Sequence, residues 1–220
     1  QGAADMGCQP HQGAGYFPVA DKKIQDFYTE KYGVVHPTKA GLKIPEIFDA
    51  AINKEVKALW IIGEDVVQTD PNSAHVVKAM NALDLLVVQE IFMSETAKHA
   101  DVVLPGTTFL EKDGTFTNTE RRVQRVNKAA EPLPGTKPDG LIVTEMMQKL
   151  GSNQKSYDAD EVLAEISDIV PFFKGITRER LGKLGLQWPV KEDGTDTKIL
   201  HEKEFKLGKG RIKYFDWKES

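Results

Sequence analysis

Polar residues suited to holding a nucleotide follow two short apolar runs of the chain. Gly63-Glu64-Asp65 and Thr69 come directly after the first run, and Gln89-Glu90 closes the second. Ionised carboxylates accept hydrogen bonds from ribose hydroxyls and from the paired N–H groups of guanine. Glycine allows the backbone to approach a ligand closely. The same spacing also suits a solvated loop before a helix capped by Asp70 or Ser73, so both interpretations stay open.

Most other kinds of site have no support in the sequence. Neither a G-x-G-x-x-G fingerprint around Gly63 nor a G-x-x-x-x-G-K-[ST] motif occurs, which argues against NAD or ATP in their usual modes. The five histidines have no ligand spacing, and Ser94, Thr96 and His99 form no nucleophile motif, so we expect no metal ligands and no catalytic residue. The single cysteine, Cys8, cannot form a disulfide framework, a structural zinc site or a four-thiolate iron–sulfur cluster.

Two charged segments further along the chain have open interpretations. Glu111-Lys112-Asp113-Gly114 suits a charged turn, while Arg121-Arg122 with Arg125 suits a solvated face. Adjacent arginines also bind phosphate, so the second segment could contact a phosphorylated ligand.

The elements that must position these residues alternate in the manner of an α/β protein. Short, almost continuous apolar runs predict buried parallel strands, and Pro45 suits the first turn of a helix. The alternation predicts a doubly wound, mainly parallel, Rossmann-like sheet whose carboxyl edge is the usual place for ligands. The predicted strands cover 57–63, 85–89 and 101–105, the helices cover 44–56, 73–83 and 94–99, and a polar loop covers 64–72.

The sequence on either side of this unit is less regular. We predict a loop-rich N-terminal segment over 1–44, an α/β unit over 45–107, and an extension with helices and a C-terminal hairpin over 108–220. Long connections inside a domain are usually functional or belong to another subdomain. The expected elements are helices over 21–31, 138–150, 160–169 and 178–184, a long polar connection over 106–136, and the hairpin around 205–215.

Composition and charge exclude several classes of protein. The chain has 220 residues, of which 40% are hydrophobic and 28% charged, which is typical of a globular domain. No apolar stretch approaches the roughly 20 residues that span a bilayer. The net charge of -4 gives no reason to expect a nucleic-acid partner. The opening residues, Gln1-Gly2-Ala3-Ala4-Asp5, predict a fragment or a processed product, for which we expect a cytoplasmic location.

Several longer motifs occur in a fixed order along the chain. They are Gly63-Glu64-Asp65 with Gln68-Thr69-Asp70, residues 87–92, residues 100–105, and the run from Glu111 to Gln124. In this order they resemble the α-subunits of formate dehydrogenases, in the dimethyl-sulfoxide-reductase superfamily of bis-pterin molybdenum and tungsten enzymes. The resemblance covers essentially the whole chain and is weakest over 152–200.

The resemblance implies a cofactor and a set of binding residues. In such enzymes this region supplies one of two related α/β domains, each binding a molybdopterin guanine dinucleotide that carries molybdenum or tungsten. The implied residues are Gly63, Glu64, Asp65 and Thr69 around the guanosine, Val88, Gln89 and Glu90 at the neighbouring strand end, Lys112 by the diphosphate and pterin arm, and Asp139 by the pterin.

The resemblance also marks what this sequence lacks. Family members carry a four-cysteine 4Fe–4S motif near the N-terminus and a later cysteine or selenocysteine on the metal, whereas this sequence has only Cys8. We therefore expect a C-terminal-half fragment of a catalytic subunit. The complete subunit would oxidise formate to carbon dioxide, and the fragment by itself would be inactive. Its implied partners are the remainder of that subunit and electron-transfer subunits, with no nucleic acid and no membrane span.

Two other functions fit the same motifs. Large subunits of respiratory NADH–quinone oxidoreductases keep this fold without a molybdenum centre, but the joint presence of Glu64, Lys112 and Asp139 argues against that function. Another superfamily reductase, such as a nitrate reductase, is the second alternative, although the Gly63-Glu64-Asp65 loop resembles formate dehydrogenases more closely. The choice between molybdenum and tungsten and the electron acceptor stay open.

Overall fold

The computed structural model describes residues 1–191, 193–205 and 208. In chain order the helices are α1 (Gly2–Asp5), α2 (Lys22–Tyr32), α3 (Ile44–Ile52), α4 (Val66–Thr69), α5 (Ser73–Ala82), α6 (Asp139–Lys149), α7 (Ala159–Ile169) and α8 (Arg178–Leu181). The strands are β1 (Gln12–Gly13), β2 (Phe17–Pro18), β3 (Ala58–Ile62), β4 (Leu85–Glu90), β5 (Val102–Pro105), β6 (Gly114–Thr117), β7 (Arg122–Val126) and β8 (Leu186–Gln187).

The three predicted apolar runs form one parallel sheet. Its strands lie in the order β3-β4-β5. Ile62 pairs with Gln89 and Glu90 pairs with Pro105, so the three carboxyl ends share one edge. The α/β class and all three strands are thus confirmed. Continuous apolar runs of this length form such strands because a parallel sheet buries both of their faces.

Helices α3 and α5 cover one face of this sheet and enclose the first core with it. α3 ends at Ile52, before the predicted end at Val56, because Lys54 adopts a left-handed backbone conformation (φ 63°) that turns the chain. The turn brings Val56 back onto the core. The buried members of this core are Phe48, Ala51, Ile61, Val66, Val76, Ala79, Met80, Leu86, Val88 and Ala97.

The segment between β3 and α5 differs from the polar loop that was predicted. It contains the short helix α4, and the cap of α5 is Asn72, whose Oδ1 accepts the backbone N–H of His75 at 3.3 Å. Asp70 instead accepts the N–H of Asn72 at 2.9 Å, and Ser73 is already helical. Asn72 therefore has the capping role that the sequence analysis gave to Asp70 or Ser73.

A β-hairpin replaces much of the polar connection predicted over 106–136. β6 and β7 pair antiparallel, and β8 pairs with the other side of β7. Asn118 Oδ1 shapes the turn by accepting the N–H groups of Glu120 (3.1 Å) and Arg122 (2.9 Å). Val123 is the buried residue of β7, and its neighbours in sequence are polar. The alternation of apolar and polar residues that predicts a strand is therefore weak here, and β7 was not predicted from the sequence.

The helices α6, α7 and α8 confirm those predicted over 138–150, 160–169 and 178–184. α8 is shorter than predicted and ends before Gly182, whose backbone takes a positive φ of 50°. The predicted C-terminal hairpin falls largely on residues outside those described, and the three-part division of the chain stays a prediction. α7 and α8 build a second core, whose buried members are Val123, Leu163, Ile169, Val170, Phe173, Ile176, Leu181 and Trp188.

The N-terminal segment joins this second core through Asp5. The buried carboxylate accepts the indole N–H of Trp188 at 2.8 Å and the hydroxyl of Tyr16 at 2.6 Å. Burial and the hydrogen bond to Asp5 raise the pKa of Tyr16 to about 12, so its hydroxyl remains a donor at neutral pH. The predicted helix over 21–31 is confirmed as α2, capped by Asp21. Among the described residues, no helix has both the length and the apolar character to cross a membrane.

We predict that Asp5→Ala lowers the free energy of unfolding by about 2 kcal/mol, because it leaves the buried indole N–H of Trp188 without an acceptor. Urea denaturation followed by far-ultraviolet circular dichroism measures the change. Asp26→Ala is the control, since Asp26 forms an exposed pair with Lys22 and such pairs stabilise little. Equal midpoints for both variants would show that the contact between Asp5 and Trp188 is dispensable.

Candidate functional site

The two polar loops of the sequence meet at the carboxyl edge of the parallel sheet. The backbone N–H of Gly63 donates to the carbonyl oxygen of Gln89 at 2.9 Å. Gly63 has a positive φ of 63°, and a Cβ built on it would meet nothing within 4 Å. The chain therefore turns sharply at the end of β3 and leaves open space above its backbone.

The loop after β3 presents Glu64 and Thr69 to solvent. Both residues are exposed, and the hydroxyl of Thr69 donates to Glu64 Oε1 at 2.5 Å. The turn of helix α4 brings these two side chains together across five positions of sequence. The second carboxylate oxygen of Glu64 and the hydroxyl oxygen of Thr69 both keep acceptor capacity.

Asp65 has a different role, because its carboxylate is fully engaged within the protein. Oδ1 accepts the N–H (2.9 Å) and the hydroxyl (2.6 Å) of Thr96. Oδ2 accepts the side-chain amide of Gln68 (2.8 Å) and the N–H of Glu95 (3.3 Å). Burial alone would raise the pKa of Asp65, but these hydrogen bonds outweigh it and lower the pKa below its ordinary value of 3.8. Asp65 thus fastens the loop after β3 to the segment after β4.

The end of β4 contributes one core residue and two polar ones. Val88 is buried in the first core. Gln89 is only 1% exposed, and its side-chain amide donates to Asp139 Oδ1 at 2.8 Å. Glu90 is half-buried and accepts the N–H of Ile91 at 2.7 Å through Oε1.

Lys112 and Asp139 form an ion pair beside Gln89. Lys112 Nζ donates to Asp139 Oδ2 and, at 3.1 Å, to the carbonyl oxygen of Thr107. An ammonium group has three N–H donors, so one remains for a ligand. Burial would raise the pKa of Asp139, but Lys112 and Gln89 together hold it below its ordinary value of 3.8. A Cβ on Gly106 would lie 3.0 Å from Asp139 Oδ1, a tight contact, so a larger residue at 106 would require the carboxylate to shift.

Two buried polar atoms beside this ion pair have no hydrogen-bond partner among the described residues. They are the side-chain oxygens of Gln89 and Thr107, and each residue is 1% exposed. Buried polar groups without partners are rare and need a specific explanation. Together with the glycine at 106 and the free N–H of Lys112, they give this edge the donors and acceptors that a polar ligand requires.

A cavity of about 290 Å³ opens next to Lys112 and Asp139. Tyr157 lines it and packs so closely on Gly140 that a Cβ there would lie 2.2 Å from the ring. Burial, with a smaller effect of Asp139, raises the pKa of Tyr157. The remaining wall is mainly apolar and includes Phe109, Phe116, Val126, Val162, Leu163 and Ile166.

The predicted residues therefore form two groups joined by one backbone hydrogen bond. Glu64, Asp65 and Thr69 lie in the loop after β3, and Gln89, Lys112 and Asp139 form the second group. Sequence reasoning missed Thr96, Gly106, Thr107 and Tyr157, whose roles depend on contacts far apart in the chain. Among the described residues, no group of three or more His, Cys, Asp or Glu side chains is placed to hold a metal ion. The absence of metal ligands stays a prediction.

The arginine pair at 121 and 122 serves the second core. Arg121 donates to the carbonyl oxygen of Thr197 at 3.0 Å and stacks over Trp188 at 5.3 Å. Arg122 donates to Gln187 Oε1 at 2.9 Å. Their guanidinium groups thus make contacts within the protein, which disfavours the interpretation that they bind phosphate.

Comparison with known proteins identifies the family of the chain. The family described as Molybdopterin oxidoreductase matches residues 5–149, which include both polar groups. The chain belongs to this family. Its relatives among the molybdopterin oxidoreductases include the F420-dependent formate dehydrogenase subunit alpha of Methanocaldococcus jannaschii, which is 43% identical over 220 residues. That match covers 98% of this chain and 32% of the relative.

One further relative and one solved structure add to this comparison. A Staphylococcus haemolyticus protein, provisionally named a formate dehydrogenase, is 42% identical over 216 residues, 98% of this chain and 22% of its own length. The solved structure of acetylene hydratase from Pelobacter acetylenicus superposes with a TM-score of 0.53 at 24% identity. It covers 71% of this chain and 22% of that one, and shows the fold alone. The chain thus spans between 22% and 32% of the length of these relatives.

We predict that the neighbouring carboxylates Glu64 and Asp65 differ in their effect on stability. Asp65→Ala leaves the buried N–H and hydroxyl of Thr96 without their acceptor, and we expect it to lower the free energy of unfolding by about 1–2 kcal/mol. Glu64→Ala is the matched control. It removes an exposed carboxylate and should change the free energy of unfolding little. Urea denaturation of both variants measures the difference.

The dependence on pH provides a second measurement of the same contact. The pKa of Asp65 is lowered by folding, so its stabilising effect is present above the ordinary pKa of 3.8 and is lost as pH falls through the folded pKa. Wild type should therefore lose its stability advantage over Asp65→Asn below about pH 3.8. A constant difference between them from pH 3 to 7 would contradict the assigned role.

Proposed function

We propose that this chain binds one guanosine diphosphate arm of a molybdopterin guanine dinucleotide, as part of the catalytic subunit of a formate dehydrogenase. The observation that carries the proposal is the junction of two polar groups at the carboxyl edge, through Gly63 and Gln89. In open α/β sheets, ligands bind at this edge. The family implies a molybdopterin cofactor.

The guanosine end of the ligand is assigned to the loop after β3. Glu64 has a free carboxylate oxygen that suits the paired N–H groups of guanine or a ribose hydroxyl. Thr69 offers a hydroxyl beside it, and Gly63 leaves room for a close approach to the backbone. Asp65 acts through Thr96 by holding the loop in place. Val88 and Glu90 contribute the strand end on which this arrangement rests.

The diphosphate end is assigned to the second polar group. Lys112 has one N–H left for a phosphate oxygen, and the carboxylate of Asp139 fixes the direction of its ammonium group. Asp139 is also the first residue of α6, whose N-terminus favours a nearby anion. The unpartnered oxygens of Gln89 and Thr107 add acceptors for the polar heterocycle that follows the diphosphate. These residues fit the cofactor in both charge and hydrogen-bonding capacity.

When bound, the metal–pterin group supplies the two-electron chemistry of the reaction. The residues of this chain bind and orient its nucleotide arm through shape and electrostatics. We therefore assign them no proton transfer and no metal ligation. The α/β unit over 45–107 supplies the loop that binds the guanosine, and Lys112 and Asp139 follow it in the chain. An iron–sulfur cluster, the electron-transfer subunits and the expected cytoplasmic location stay predictions.

Formate is the substrate that the relatives favour. The Methanocaldococcus jannaschii relative is named a formate dehydrogenase subunit, and at 43% identity the match extends over nearly all of this chain. The alternative of a homologue without cofactor is disfavoured by the ion pair of Lys112 and Asp139, because half-buried charges beside acceptors without partners among the described residues are costly unless a ligand uses them.

We predict that the chain binds GDP more tightly than GMP, because the second phosphate reaches Lys112. Lys112→Met should remove that advantage, lowering GDP affinity about tenfold with little effect on GMP. Glu64→Ala should weaken both nucleotides to the same extent. Isothermal titration calorimetry measures the affinity of wild type and of each variant for GDP and for GMP. Lys128→Met is the control because Lys128 pairs with Glu131. No binding of either nucleotide to wild type would overturn the proposal.

We predict that the isolated chain, given formate, added cofactor and a viologen dye, produces no reduced dye. The reason is that its one cysteine cannot assemble a four-thiolate cluster. A polypeptide of the relatives' length that contains this region should reduce the dye with formate and should not reduce nitrate. Absorbance of the reduced dye reports both reactions. Nitrate reduction by that polypeptide would reject formate as its substrate.

A further inference from the structure

Three consecutive apolar residues are exposed immediately after β4, beside the polar groups. Ile91, Phe92 and Met93 are 45%, 75% and 65% exposed. Contiguous exposed apolar residues commonly mark a binding site. Phe92 is the most exposed of the three, and it follows Glu90 by two positions.

The segment that carries Phe92 is fastened at both ends. At its start, the N–H of Ile91 donates to Glu90 Oε1 at 2.7 Å. At its end, Glu95 and Thr96 donate to the carboxylate of Asp65 in the loop after β3. Between them, the N–H of Ser94 donates to the carbonyl oxygen of Phe92 at 2.8 Å and closes a tight turn. These hydrogen bonds fix the segment that carries Phe92 next to the loop after β3, which carries Glu64.

The ring of Phe92 differs from other exposed phenylalanine rings of the chain. Phe109 packs on Phe116 with ring centres 6.2 Å apart, and Phe205 packs on His201 at 5.0 Å. For Phe92, no ring partner occurs among the residues that the structure describes, and the residue is 75% exposed, so much of its ring is accessible to a flat ligand.

We propose that Phe92 is the aromatic platform on which the guanine base stacks, an inference that rests on the proposed function of the site. Purine bases stack on aromatic side chains because each presents a flat, polarisable face. Glu64, on the other loop, would read the hydrogen-bonding edge of the same base. One residue then contacts the face of the base and the other its edge, and Asp65 sets the spacing between the loops that carry them.

The test compares GMP with ribose 5-phosphate, which lacks the base, on the full 220-residue chain. Phe92→Ala should weaken GMP about tenfold and leave ribose 5-phosphate unchanged. Phe92→Tyr, which keeps the ring, should retain wild-type affinity, and Phe92→Leu, which keeps apolar bulk only, should behave as Phe92→Ala. Phe205→Ala is the control for loss of an exposed ring, and circular dichroism verifies the fold of every variant.

A fluorescence measurement provides an independent readout. An indole ring in place of Phe92, in Phe92→Trp, should be quenched by GMP and not by ribose 5-phosphate, with wild type as the reference for the native tryptophans. No GMP binding to wild type would overturn the proposed function together with this inference.

The remaining outcomes bear on the inference alone. If wild type binds GMP and Phe92→Ala binds it equally well, the platform is rejected and the proposed function stands. Affinity retained by Phe92→Leu would reject stacking in favour of simple apolar contact. An equal loss of GMP and ribose 5-phosphate affinity in Phe92→Ala would also reject it.

Discussion

Parallel pairing brings the carboxyl ends of β3, β4 and β5 to one edge, and everything at the candidate site depends on this constraint. Side chains that follow different strands must then converge, even when many residues separate them in sequence. The hydrogen bond from Gly63 to Gln89 continues the β3–β4 ladder by one step beyond Ile62. Because that step needs a positive φ, glycine is the residue that allows the ladder to end in a loop with open space above it.

Charge at this edge is balanced within the protein before any ligand arrives. Asp139 would be costly to keep ionised at its depth without Lys112 and Gln89, and their contacts lower its pKa despite burial. Asp65 is kept ionised in the same way, but by neutral donors from Thr96, Glu95 and Gln68. The ammonium group of Lys112, paired with Asp139, can also donate to a phosphate, whereas the donors that saturate Asp65 are used within the protein. The two aspartates are therefore suited to binding and to bracing respectively.

The sequence predicted the parallel sheet well and the site only in part. An apolar run such as 58–62 has few alternatives to a buried strand. Once that strand is predicted, the place of Glu64 just beyond its carboxyl end is predicted with it. The hairpin of β6 and β7 was missed because Thr, Arg and Gln dominate its strands and only Val123 marks an inward face. Glu64 and Asp65 could not be distinguished either, since their different roles depend on Thr96, which lies 31 positions beyond Asp65. Spacing alone does not reveal such contacts.

The contact between Asp5 and Trp188 has a consequence for the order in which the chain acquires structure. These residues are separated by 183 positions, so the contact closes a very long loop. During synthesis the α/β sheet, complete by Pro105, can assemble while the second core still lacks Trp188 and much of α7. Asp5 leaves the ribosome before Trp188 and stays solvated until the far end of the core is made. The segment around α1, although it precedes the sheet in sequence, is then among the last of the described elements to acquire its native contacts.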